Sequence, residues 1–175
     1  MLCFSILSCF SLGFFRNLLL FSILVFITGI MDGCDGAIAR LTNKSTKFGG
    51  FFDSFMDRMS EFFIFLGLHL YNQNRLLWNI IDMKLIIFIT FIASIMISYT
   101  RARAENFFKG DFDIGLMARS ERLFYLVISM IISFFLNFSN EFLFLFMWLV
   151  LSTLIFRMIK IYHQIKTTRT TLQTD

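Results

Sequence analysis

Four aspartates fall within one stretch of 26 residues, DGCDGAIARLTNKSTKFGGFFDSFMD, at positions 32 to 57. Asp32 and Asp35 are three apart, and Asp53 and Asp57 are four apart. On helices both spacings put the pair on one face. Carboxylates crowded into a small volume must be neutralised by cations or by protons. Hard oxygen ligands suit Mg²⁺, Mn²⁺ or Ca²⁺, and four of them suffice to bridge two ions. Gly36 follows Asp35, and Gly49 precedes Asp53 by one turn, so backbone can approach a bulky ligand at both places. Arg40, five residues past Asp35, can offer a planar donor fork to phosphate. Capping or pairing with Lys and Arg explains any one of these aspartates. Four at these spacings, with Gly and Arg in register, read as a diphosphate site.

A second group of candidates is basic. SYTRARAE (98–105) and IGLMARSERL (114–123) bring Arg101, Arg103, Arg119 and Arg122 to neighbouring helix ends, and Arg157 closes a later helix. Arg101 and Arg119 flank the two helix ends facing a common loop, and Glu105 and Glu121 can pair with some of the rest. Exposed guanidinium groups on a common side would clamp the phosphate of an anionic substrate.

The elements that must hold these groups are apolar. The 175 residues are 57% hydrophobic, with 26 Phe, 10 Met and no Pro, so the bilayer is the expected solvent and the helices should run without breaks. Apolar runs lie at about 1–15, 17–31, 59–70, 85–100, 123–138 and 142–156. Each is shorter than the roughly 20 residues of a full span, so polar helix ends must complete the crossing. The expected fold class is an all-α membrane protein, a bundle of six transmembrane helices forming one integral membrane domain over 1–175. The third helix should begin near Gly49 and include Asp53 and Asp57. A short loop, LTNKSTKF (41–48), makes the second and third helices antiparallel neighbours whose acidic faces can meet. A second connection, 106–118, contains Lys109, Asp111 and Asp113. The polar tail from about 163 is expected to fray.

Loop charge sets the orientation. One set of connections holds Arg40, Lys44 and Lys47, then Arg101, Arg103, Lys109, Arg119 and Arg122, then Arg157, Lys160, Lys166 and Arg169. The other holds only Arg16, Arg75 and Lys84. The rich side, with the aspartates, is therefore expected on the cytoplasmic face of a multi-pass cell-membrane protein. Cys3, Cys9 and Cys34 are expected to be small buried hydrophobes rather than a disulfide or metal site. No signal pattern opens the chain, since its first basic residue is Arg16.

The pattern Asp32-x2-Asp35-Gly36-x2-Ala39-Arg40-x8-Gly49-x3-Asp53-x3-Asp57 resembles the signature of the CDP-alcohol phosphatidyltransferases at every fixed position. The resemblance covers about residues 17 to 160. It implies a six-helix membrane enzyme, usually a homodimer, open to the cytoplasmic leaflet, that takes a CDP-linked lipid and an alcohol and releases CMP. By position, Asp32, Asp35 and Asp53 would hold two divalent ions, Mg²⁺ or Mn²⁺, with Asp57 at their edge. Asp57 would also be the base that deprotonates the attacking hydroxyl. Gly36, Ala39 and Arg40, with Asp32 and Gly49, would line the CDP-lipid pocket. Among the 31 residues ahead of Asp32 there is no Pro-Asn-type segment of the kind that helps line the nucleotide pocket in relatives.

The basic stretch resembles the branch of this family that transfers the lipid to L-myo-inositol 1-phosphate. The resemblance implies that Ser98, Arg101, Arg119 and Arg157 bind the acceptor's phosphate. The expected partners are CDP-diacylglycerol or CDP-archaeol, inositol 1-phosphate, membrane lipid and a second copy of the chain, with no nucleic acid. Glycerol 3-phosphate is the alternative acceptor, being equally suited to an arginine clamp. A cation-binding transporter subunit is the alternative of another class. It would spread its acids through the depth of the bilayer, whereas these gather at one face beside Gly and Arg.

Overall fold

The structure is a computed structural model. It describes the backbone of residues 1–41, 46–107 and 117–171 and, within these, all side chains except those of 35–41, 47, 107 and 167–171. Six helices carry the described chain: α1 (Leu2–Gly13), α2 (Leu18–Leu41), α3 (Lys47–Tyr71), α4 (Met83–Phe107), α5 (Arg119–Leu136) and α6 (Ser139–Thr171). Between α3 and α4 lies a small antiparallel hairpin, β1 (Leu76–Leu77) and β2 (Ile81–Asp82). Its turn places Trp78 and Asn79 at positive φ, a conformation used by tight hairpin turns.

Helices run well past the apolar segments that nucleate them. α2 continues ten residues beyond Met31 and α3 begins twelve before Met59, so the aspartates sit on helix and not on loop. Thr46 caps α3, its Oγ1 accepting from the Gly49 amide at 3.0 Å. A Cβ at Gly49 would meet that same oxygen at 3.0 Å, which gives this glycine a local reason beyond ligand approach. The tail expected to fray from 163 instead prolongs α6 to Thr171. Nothing in HQIKTTRTT breaks a helix, since it lacks Gly and Pro and carries good helix formers.

The packing order is a closed ring, in which α2 packs on α1, α1 on α3, α3 on α4, α4 on α6, α6 on α5, and α5 back on α2. The expected direct packing of α2 on α3 is therefore replaced, among the described residues, by α1 wedged between them. Gly67 permits this, because a Cβ there would lie 2.9 Å from Cys9 Cα. Small buried serines (Ser5, Ser8 and Ser11 of α1, Ser129 and Ser133 of α5) return their hydroxyls to their own helix backbones and let neighbours come close. Large apolar side chains such as Phe26, Phe88, Phe124 and Trp148 point outward. Among the described residues, two helices, over Met83–Asn106 and Ser139–Lys166, are long and apolar enough to cross a membrane. Cys9 is buried as expected, but Cys3 and Cys34 are exposed, and all three are free thiols.

Candidate active site

The acids and the arginines converge at one end of the ring. Asp32 of α2 and Asp53 and Asp57 of α3 each offer a carboxylate oxygen, all within 4.8 Å of one another. Although α1 packs between α2 and α3, these side chains reach one another across the gap. Asp35, Gly36, Ala39 and Arg40 lie on the last turns of α2, with side chains outside the described residues. Residues 42–45 and 108–116, with Lys44, Lys109, Asp111 and Asp113, lie outside them too.

Three carboxylates this close repel one another, and Arg119 offsets part of that repulsion. Its Nη1 lies 2.5 Å from Asp32 Oδ2 and 2.7 Å from Asp57 Oδ1. Arg119 is the first residue of α5, where the helix dipole disfavours a cation. Its position makes sense through the acids it faces. Yet Asp57 Oδ1 is buried and has no hydrogen bond of acceptable angle, and neither does Arg119 Nε. An oxygen-only donor set with an orphaned carboxylate oxygen and a cationic group already drawn in fits a hard divalent cation.

Beside the acids opens a cavity of about 340 Å³ whose walls come from α3, α4, α5 and α6. Asp57, Ser98, Arg101, Arg119 and Arg157 all line it. These five residues come from four separate segments of the sequence, and the fold brings them to one chamber. Among the described residues, Glu105 pairs at 2.8 Å with Arg101, and not with one of the other arginines as expected. Arg157 is buried and donates to the Ile97 carbonyl at 3.2 Å. Glu121 departs from its expected role: it accepts from the Ala118 amide at 2.7 Å and so caps α5 instead of pairing with an arginine.

Two charged residues of α3, Arg58 and Glu61, were missed. Both sit next to or inside the run that looked apolar. Arg122 donates through Nη2 to Glu61 Oε1 at 2.9 Å and through Nη1 to the Met117 carbonyl at 3.0 Å. Arg58 reaches Glu61 Oε2 at 3.4 Å and the hydroxyl of Ser98. A lone glutamate in an apolar helix, one turn from an arginine, was the available signal.

The comparisons with known proteins agree with the pattern. The family model for CDP-alcohol phosphatidyltransferase matches residues 1–158. The chain belongs to that family. It is 38% identical over 116 residues to the archaetidylinositol phosphate synthase of Pyrococcus horikoshii, covering 66% of this chain and 57% of that protein. It is 29% identical over 141 residues to the protein of that name from Methanothermobacter thermautotrophicus, covering 79% and 68%. Among solved structures, the phosphatidylinositol phosphate synthase of Mycobacterium tuberculosis in complex with manganese and citrate aligns with a TM-score of 0.80 at 24% identity, over 92% of this chain and 78% of that one. The same enzyme with CDP-DAG bound gives 0.79. This likeness establishes the fold. Family and apolar helices together make this a membrane protein.

Proposed function

We propose that this chain transfers a phosphatidyl or archaetidyl group from a CDP-linked lipid to L-myo-inositol 1-phosphate, with release of CMP. The observation that carries the reading is the single cavity in which Asp57 and four phosphate-binding candidates stand beside a cluster of three carboxylates. Relatives named as archaetidylinositol phosphate synthases support the acceptor. In this reading all six helices cross the membrane, the chain is a single domain that pairs with a second copy, and the charge-rich end faces the cytoplasm.

Asp32, Asp53 and Asp57, with Asp35 from the signature, would hold two divalent cations. Such cations, when bound, neutralise a diphosphate and stabilise the departing CMP. The chain's own groups do the rest. The arginine fork fixes the acceptor's phosphate and so aims one of its free hydroxyls along the cavity toward Asp57. The Asp57 carboxylate takes the hydroxyl proton as the oxygen attacks the phosphorus nearest the lipid and the bond to CMP breaks. Arg40, Gly36 and Ala39 would hold the nucleotide end.

Purified protein given a CDP-activated lipid, Mg²⁺ or Mn²⁺ and inositol 1-phosphate should release CMP. A panel that includes glycerol 3-phosphate and serine tests the acceptor. CMP release that is equally fast with serine would sink the phosphate clamp.

A further inference from the structure

Arg58 is a cavity-lining guanidinium that was neither part of the signature nor among the basic candidates. It follows Asp57 directly and shares the buried Glu61 carboxylate with Arg122, one guanidinium on each oxygen. Arg122 is 2% exposed and engages Glu61 and the Met117 carbonyl, so it serves as a strut. The Arg58 side chain keeps 34% exposure, and its Nη2 is still 3.9 Å from Asp57 Oδ2. Glu61 thus divides its two oxygens between a buried guanidinium and a partly exposed one, and the partly exposed Arg58 lines the cavity.

Ser98 adds direction. Its hydroxyl points its proton at the Ser94 carbonyl, 3.4 Å away, and receives the Arg58 Nη1 donor. A hydroxyl used in both senses by protein has little left for a ligand, while the guanidinium it steadies has N–H groups to spare. We propose that Arg58 is a phosphate-binding residue of the acceptor site, and that Ser98 and Glu61 are positioning residues that act through it. The inference rests on the acceptor reading above and deepens it, adding an α3 donor beside the proton-accepting carboxylate.

The test uses the full chain in detergent with Mg²⁺, a CDP-lipid and inositol 1-phosphate. Arg58→Ala should raise the acceptor KM roughly 10- to 100-fold, the range of one charge-assisted contact, while the CDP-lipid KM stays within about two-fold of wild type. Arg58→Lys should recover part of the loss. Ser98→Ala should weaken acceptor binding in the wild-type background and add almost nothing to Arg58→Ala, because the two act as one unit. An unchanged acceptor KM in Arg58→Ala, or additive effects of the two changes, overturns the proposal. Binding of inorganic phosphate to the Mg²⁺-loaded protein is measured in parallel. If wild type releases no CMP with inositol 1-phosphate, the functional reading fails. Phosphate binding that is lost in Arg58→Ala and partly kept in Arg58→Lys then still supports the site, and binding indifferent to both overturns it. Matching thermal melts for Arg58→Lys and Ser98→Ala keep the comparison valid should Arg58→Ala unfold.

Discussion

Arginine gathers at both ends of the bundle, but it finds different company at each. At the α3 C-terminus, Arg16 and Arg75 lie over the Tyr71 ring at 5.9 and 4.3 Å. Arg16 reaches the Tyr71 carbonyl at 3.4 Å and Arg75 the Ser139 hydroxyl at 3.3 Å. About 20 Å away along the same helix, at 1.5 Å per residue, Arg58, Arg119 and Arg122 face carboxylates. The first set ties loops to a ring, a backbone carbonyl and a hydroxyl. The second surrounds a cavity and a cluster of acids that repel one another. Charge at a helix end therefore says little until the partner is known. Carboxylates held together against their own repulsion mark the end where chemistry is expected.

The largest effect that follows from this contrast is at Asp57. Asp57→Asn keeps the shape of the cavity and removes the proton acceptor, so turnover should fall roughly 10³-fold or more. Much of the CDP-lipid binding should survive, as measured by equilibrium titration. Turnover at the wild-type rate would mean that the base lies elsewhere.

Glu61→Gln comes next. It removes the negative charge that Arg122 and Arg58 share, leaving Arg122 buried among neutral acceptors only. Losing one partner of a buried pair costs roughly 3–5 kcal/mol, so the thermal midpoint in detergent should drop clearly. A midpoint unchanged from wild type would show that Glu61 is no strut.

Arg119→Ala is smaller and more informative. It removes a donor from the cavity and a cation from the acids in one change. The acceptor KM should rise roughly 10- to 100-fold, more than the CDP-lipid KM, while Mn²⁺ binding tightens because a competing positive charge has gone. Equal effects on both substrates would count against the clamp, and weakened Mn²⁺ binding against the competition.

Much of this site was legible in the sequence. The four-residue interval of Asp53 and Asp57 puts both on one face of α3, and that much periodicity encodes; their meeting with Asp32 is made by the fold. The arginines were legible as a basic group at neighbouring helix ends, Ser98 through resemblance only. What periodicity could not supply was the neighbour order. A short loop suggests that α2 and α3 pack together, but Gly67 admits α1 between them, and close backbone approach leaves no trace in a hydropathy pattern. Glu61 was absorbed into an apolar run because one charge hardly alters a window average. Its meaning depends on Arg122, sixty-one residues away in sequence. Glu121 and Glu105 looked alike beside the arginines, yet helix geometry sends one to a cap and the other to Arg101.

The smallest prediction guards the comparison at its other end. Arg75 stacks on Tyr71, itself buried, and holds Ser139 at the start of α6. A partly exposed cation–π contact of this kind is worth about 0.5–1 kcal/mol. Arg75→Ala should therefore lower the thermal midpoint slightly and leave both Michaelis constants within about two-fold of wild type. Its distance from the acids along α3 is the reason, since nothing in the contacts of Arg75 reaches the cavity. If Arg75→Ala raised the acceptor KM as much as Arg119→Ala, the two ends would be energetically one site. Partner chemistry would then have failed as the criterion that tells them apart.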